Sequence, residues 1–284
     1  MNSILDTLTY RREEKEKKYY HASDYNKPIL ELYLRFKGVK ETDPTQWYET
    51  LKWGAGKGVE TAMLEILKQN KLVAEDYNQE EHGGFKMERD GITISGYMDA
   101  IHIDGCPIEI KSINNKNQFD IMNYENGEPR ENYVGQLAIY MDYLGKDKGY
   151  LFVSSIDGLN TFWFECVKIS DGVYRCGKVT VDLNEQYRKW SKLYHEYVLK
   201  DKEPSPWQYV YKRNIEEIDW KSVSAGDISK ARNGKKVIGD WQISYSPYKK
   251  YIIEKQGTSE GYSLTELQRI NELTKGYTNW KKND

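Results

Sequence analysis

Glu60, Asp99, Glu109 and Lys111, followed by Gln136 and Tyr140, are the side chains whose types and spacing could do chemistry together in this sequence. Carboxylates and an ammonium brought to one place are what metal-assisted phosphodiester hydrolysis uses. Hard oxygen ligands hold magnesium, and a cation orients the attacking water. A glutamine amide and a phenol on one helix could then position a phosphate or a base.

The segments that must carry these groups can be read next. Gly91 to Ile103 and Pro107 to Lys111 are rich in β-branched residues, and Asp104-Gly105 lies between them. A two-residue loop of Asp104 and Gly105 would set position 99 against 110 and turn Asp99 away from Glu109 and Lys111. A three-residue loop, Ile103-Asp104-Gly105 with Gly105 left-handed, sets Asp99 opposite Glu109 and Tyr97 opposite Lys111. Met98, Ala100, Ile108 and Ile110 then share the other, apolar face, so the hydrophobic pattern selects this register. His102 and Ile103 fit it less well.

Adjacent carboxylates repel, and a divalent cation between them is the natural resolution. Glu60 could supply a third carboxylate. Gly58 to Lys68 has helical spacing, with Val59, Met63, Ile66 and Leu67 as one apolar stripe and Glu60 beside it. The competing reading of Glu60 is a solvated helix residue. Lys111, two residues from Glu109 on the same strand face, is placed to steady phosphate charge. After a long polar loop from Asn114 to Arg130, Tyr133 to Leu144 reads as a helix ended by Gly145. Gln136 and Tyr140 are four apart and expected to look out from one face, where ordinary interface positions are the alternative.

These residues resemble the motifs of the RecB-like branch of the PD-(D/E)XK nuclease superfamily, which includes CRISPR-associated and phage-type exonucleases. Gly96-Tyr-Met-Asp99 is similar to the family's glycine-to-aspartate metal motif, Glu109-Ile-Lys111 to its E-x-K motif, and Gln136 to Tyr140 to its Q-x-x-x-Y motif. Gly56 to Glu60 takes the place of the upstream helix motif, where related exonucleases often carry histidine. The resemblance implies Asp99, Glu109, the Ile110 carbonyl and Glu60 as ligands of Mg2+ or Mn2+. Lys111 would aid the water, and Gln136 and Tyr140 would bind substrate. Cluster-bearing members of the family carry cysteines near the positions of Pro28, Ile243 and Ser246. The three cysteines here, Cys106, Cys166 and Cys176, fall elsewhere, so a cluster-free relative is expected.

Composition bounds the rest. With 42 Lys and Arg against 44 Asp and Glu, the net charge of −2 excludes a globally basic DNA binder, so any nucleic-acid footprint must be local. Candidate patches are Arg11-Arg12 to Lys18, Lys111 with Lys116, and Lys230 to Lys236, with tyrosines available to stack on unpaired bases. Gly54-Ala-Gly-Lys-Gly58 is not a Walker loop, since residue 51 is Leu and residue 58 is Gly. The cysteines lack C-x-x-C spacing for zinc and suggest a reducing compartment. No transmembrane run or signal peptide is read, and the expected location is the cytoplasm of a bacterial or phage-infected cell.

The expected fold is an α/β, restriction-endonuclease-like core: a central mixed β-sheet flanked by helices, with helical N- and C-terminal appendages. The order runs from a helical start to about residue 70, strands at about 83 to 112, the Gln136 helix, strands at Gly149 to Ser155 and Thr161 to Lys168, and a helix at about 181 to 199. Residues 1–203 are expected to form the core, and 204–284, after the break at Pro204 and Pro206, an appendage packed on it. Ser263 with Glu266 is a capping box opening a final helix toward Trp280. The function expected is a metal-dependent DNA nuclease, an exonuclease of replication, recombination or repair. The alternatives are a non-cleaving nucleic-acid-binding or assembly module and an RNA-directed nuclease.

Overall fold

The computed structural model describes residues 19–43, 47–114, 118–204, 215–216, 218–221, 223–233, 246–255 and 263–276. The basic run from Arg11 to Lys18, Lys116, the Lys235-Lys236 pair, Pro206, Ile243 and Trp280 lie outside them. In chain order the elements are β1 (Tyr20–His21), α1 (Ile29–Phe36), α2 (Trp47–Gln69), α3 (Gln79–His82), β2 (Gly84–Arg89), β3 (Ile92–Tyr97), β4 (Ala100–Ile101) and β5 (Pro107–Ile113). They continue as α4 (Gln118–Glu125), α5 (Glu131–Leu144), β6 (Lys148–Ser155), β7 (Thr161–Ser170), β8 (Val173–Cys176), β9 (Val179–Asp182) and α6 (Leu183–Lys192). α6 runs on into a π-helical turn, Leu193–Val198, and α7 (Ala225–Arg232), α8 (Lys249–Lys255) and α9 (Leu264–Leu273) follow.

The architecture is mixed α/β. A six-stranded sheet runs β4-β5-β6-β7-β8-β9, parallel only between β5 and β6, and a three-stranded sheet runs β1-β3-β2. The parallel step requires a crossover, which α4 and α5 supply. On one face of the larger sheet, Ile108, Ile110 and Phe152 pack with Leu67 and the partly buried Met63 and Leu64 of α2. On the other face α5 lies so close that a Cβ on Gly149 of β6 would fall 2.9 Å from Met141 and 3.0 Å from Leu137. The sheet is therefore flanked by α2 and α5, and successive residues of β5 alternate between them.

Several expectations change in detail. The single strand expected from Gly91 to Ile103 is broken at Met98 and Asp99: β3 belongs to the smaller sheet and β4 to the larger. Tyr97 consequently faces Gly84 rather than Lys111. α2 begins at Trp47, well before the expected Gly58, and carries three glycines in its interior, while Ile66 of the expected apolar stripe is exposed. Glycine weakens a helix, but at Gly56 a Cβ would fall 2.8 Å from Ser112 Oγ of β5, so bare backbone is what lets α2 approach the sheet. The stretch from Asn114 to Arg130 is not all loop, because α4 forms within it and Tyr124 buries its ring against Phe162 and Phe164 of β7. β8 and β9 are strands that the sequence reading omitted.

The described residues form two compact units, one within 19–27, 35–38 and 47–202, the other within 28–34, 39–43 and 203–276. In the second, Ile215, Trp220, Ile228, Ala231 and Ile270 make a small core, and Trp220 Nε1 donates to the Ile215 carbonyl at 2.9 Å. The Ser263–Glu266 capping box opens α9 as expected. Cys106, Cys166 and Cys176 are buried free thiols. Among the described residues no helix is long and apolar enough to cross a membrane.

Candidate active site

The hairpin joining β4 to β5 sets the centre of the site. Ala100 pairs with Ile108 and Ile101 with Pro107, so Asp99 stands level with Glu109. The loop has the three residues the hydrophobic pattern demanded: the His102 N–H donates to the Cys106 carbonyl at 2.8 Å, and Gly105 takes φ +82°, which only glycine adopts cheaply. Asp104 Oδ1 accepts the Cys106 N–H at 2.9 Å and pairs with His102 Nδ1 at 2.8 Å, fixing the turn.

Asp99 and Glu109 lie on the face of the sheet that α5 covers, and both are buried. Asp99 Oδ2 accepts the Ile110 N–H at 2.7 Å, and Oδ1 accepts Gln79 Nε2 at 3.0 Å. Glu109 is completely buried. Its Oε1 is ion-paired with Lys111 Nζ, whereas Oε2 has no hydrogen-bond partner among the described residues. Burial pushes the Asp99 carboxyl up to about 6, with Lys111 pulling it down and Glu60 pushing it further up. Burial also raises Glu109, and the nearby Asp99 charge adds to that. For Lys111, burial acts to lower the value, but the Glu109 and Asp99 charges outweigh it and the ammonium holds its proton more tightly than usual. The Lys111 side chain is 24% exposed, against none of the Glu109 side chain. Its Nζ also lies 5.7 Å from the centre of the Tyr133 ring, which Arg130 flanks at 5.6 Å.

Glu60 of α2 is half-buried and close enough to raise both carboxyls, but its Oε1 is taken by Lys57 Nζ at 2.5 Å. Lys57 also donates to Gln79 Oε1 at 2.9 Å, so Glu60, Lys57, Gln79 and Asp99 form one chain of contacts. Sequence reasoning missed Lys57 and Gln79. The i to i+3 spacing of Lys57 and Glu60 was the only local signal for the first, and nothing local marks Gln79 at the start of α3.

Gln136 and Tyr140 do not look outward as expected. Both are buried, Tyr140 at 1% exposure, and they point at the carboxylate cluster. Gln136 Nε2 donates to the Tyr140 hydroxyl at 2.6 Å, and that hydroxyl donates to the Tyr97 carbonyl at 2.9 Å. The pair therefore pins the backbone two residues before Asp99. Gly96 makes room for this: a Cβ there would fall 2.6 Å from Phe85 and 3.1 Å from Tyr140. His82 and His102 serve local turns, His82 Nδ1 accepting the Asn78 N–H at 3.0 Å.

As the side chains stand, no group of three His, Cys, Asp or Glu among the described residues is arranged to hold a metal ion. The donor set nevertheless fits one. A fully buried carboxylate oxygen without a donor, beside a second buried carboxylate, has a desolvation cost that a hard divalent cation would remove. Asp99 and Glu109 are the residues that could hold it, with Glu60 within electrostatic reach.

No protein-family model and no curated protein matches this chain. Among solved structures, one described as the crystal structure of SSO0001 is 16% identical and aligns with a TM-score of 0.41 over 72% of this chain and 85% of its own. An alkaline exonuclease from Laribacter hongkongensis is 15% identical, with a TM-score of 0.40 over 66% of this chain and 90% of its own. Likenesses at this level carry no functional argument, and the functional reading rests on the geometry of the site.

Proposed function

We propose that this chain is a divalent-metal-dependent nuclease that hydrolyses phosphodiester bonds in DNA, acting as an exonuclease in replication, recombination or repair. One observation carries the reading: the buried carboxylate of Glu109, whose Oε2 has no partner among the described residues, lies beside Asp99, just ahead of β4, and Lys111, two residues on along β5. Two carboxylates held together out of water, with one ammonium paired to Glu109, cost stability unless a further cation joins them.

Bound Mg2+ or Mn2+ supplies Lewis acidity toward a phosphoryl oxygen and a water of lowered pKa. Asp99 and Glu109 would hold the ion, joined by Glu60 and the Ile110 carbonyl. Lys111, paired with Glu109, would present Nζ as a hydrogen-bond donor to the attacking water or to a phosphoryl oxygen. Gln136 and Tyr140 hold the Tyr97 carbonyl and so keep the Asp99 carboxylate aimed at its ligand. Their burial favours this positioning over direct contact with substrate.

The test is degradation of end-labelled linear DNA and of closed circular DNA with and without Mg2+ or Mn2+, by wild type and by Asp99→Asn, Glu109→Gln and Lys111→Ala. Loss of linear DNA alone, abolished in all three variants, supports the exonuclease. Equal activity in all four proteins overturns the assignment. The engagement of Glu60 by Lys57 favours one second reading, a nucleic-acid-binding module that does not cut; DNA binding without degradation in either metal would establish it. Parallel digestion of RNA decides the substrate.

A further inference from the structure

Lys57 has no part in the chemistry described so far, yet it joins the third carboxylate to the rest of the site. Its Nζ lies 2.5 Å from Glu60 Oε1 and 2.9 Å from Gln79 Oε1, and Gln79 in turn donates to Asp99 at 3.0 Å. Together with Lys111, which is paired with Glu109, it brings two ammonium groups to the three carboxyls of Glu60, Asp99 and Glu109. The two ammonium groups thus supply the charge that one divalent cation would. They differ in setting, however. Lys111 is mostly buried, whereas the Lys57 side chain is 60% exposed. A Cβ on Gly54 or on Gly58 would meet nothing within 4 Å among the described residues, so the α2 surface carries no side chain at these two positions near it. Glycines inside a helix cost stability, and no packing among the described residues requires them at these two positions. The exposed Lys57 side chain is thus open to a partner larger than a side chain.

We propose that Lys57 is an exchangeable counter-ion: it neutralises Glu60 when no metal is bound, is displaced from Glu60 by the ion, and then binds the phosphate backbone of the substrate. This rests on the nuclease reading above. A carboxylate oxygen that ligates a divalent ion cannot also be the main partner of an ammonium, so binding the ion releases Lys57 beside the position that a phosphate takes up. An ammonium on a flexible stem is suited to following a phosphate as a point charge. Metal and nucleic acid therefore bind cooperatively through one side chain.

The test uses Lys57→Met, which keeps the stem and removes the charge, with Lys57→Arg beside it. Mn2+ binding is measured by calorimetry. Binding of a short fluorescein-labelled DNA duplex is measured by anisotropy in Ca2+ across a range of salt. Removing a competing cation predicts Mn2+ binding about three- to fivefold tighter in Lys57→Met. Losing a phosphate contact predicts DNA binding about fivefold weaker, with the salt slope reduced by about one and largely restored in Lys57→Arg. A merely structural role would weaken both. Weaker metal binding, or unchanged DNA affinity, overturns the proposal. Wild type that binds metal and cuts DNA, alongside a Lys57→Met variant indistinguishable from it, defeats this inference alone. Wild type that binds no divalent ion defeats the nuclease reading as well.

Discussion

Replacing Glu109 by glutamine exchanges a carboxylate for an amide of nearly the same shape and should change stability in opposite directions with and without metal. In the metal-free protein Glu109 is fully buried, one of its oxygens has no donor, and Asp99 lies beside it. A buried acceptor left unsatisfied costs about 1–3 kcal/mol, and the charge on it adds to that cost. Against this stands the ion pair with Lys111, whose ammonium keeps the Asp99 charge after the substitution. The amide remains a buried polar group and only the charge is removed, so the variant is expected to be more stable without metal by about 1 kcal/mol, a rise of roughly 2–4 °C for a domain of this size. Divalent ion at about one hundred times its dissociation constant should stabilise wild type by about 2.7 kcal/mol and the variant by little. Thermal unfolding in EDTA and in Mg2+ or Mn2+ reads both effects. A Glu109→Gln protein that melts below wild type in EDTA, or that gains as much from metal, would refute the argument that this carboxylate is kept buried for an ion.

Other expectations follow from single contacts. Tyr140→Phe leaves the Tyr97 carbonyl and the Gln136 amide without their shared hydroxyl and should cost about 1–3 kcal/mol. Its kcat should fall more than its KM changes, because the lost bond positions Asp99 and not the substrate. Gly135→Ala places a Cβ 2.2 Å from the Tyr25 ring and should destabilise by about 1–3 kcal/mol in urea unfolding, partly relieved when combined with Tyr25→Ala. At Asp104 burial pulls the other way, but the Cys106 N–H and the His102 ring hold the carboxyl down at about 2. The stability it contributes should be complete above about pH 4 and fade as pH falls toward 2, so the difference between wild type and Asp104→Asn in acid unfolding must shrink over that window. Because Asp104 is largely exposed, the difference is expected to be small.

What was legible in the sequence is local or set by a short period. The β4–β5 hairpin could be read because its strands alternate and only one loop length buries Met98, Ala100, Ile108 and Ile110 together, while Gly105 supplies the left-handed turn. The same register brings Asp99 level with Glu109. Gly145 at the end of α5 and the Ser263–Glu266 box at the start of α9 were visible because caps involve residues a few positions apart. Tertiary structure alone decided the remainder. The break at Met98 and Asp99 divides what looks like one strand between two sheets, and no local pattern marks which partners each half will find. α2 lies against β5 at Gly56, where a Cβ would meet Ser112, and that contact cannot be read from the helix alone. The helix period put Gln136 and Tyr140 on one face but could not say that the Tyr97 carbonyl and the buried carboxylates lie against it. Lys57 and Gln79 join the site through contacts spanning α2, α3 and the hairpin, and long-range proximity of that kind leaves no periodic trace in a single chain. The sequence set the chemistry available and the register of two strands; the packing of α2, α3 and α5 around that hairpin decided which groups stand beside the carboxylates.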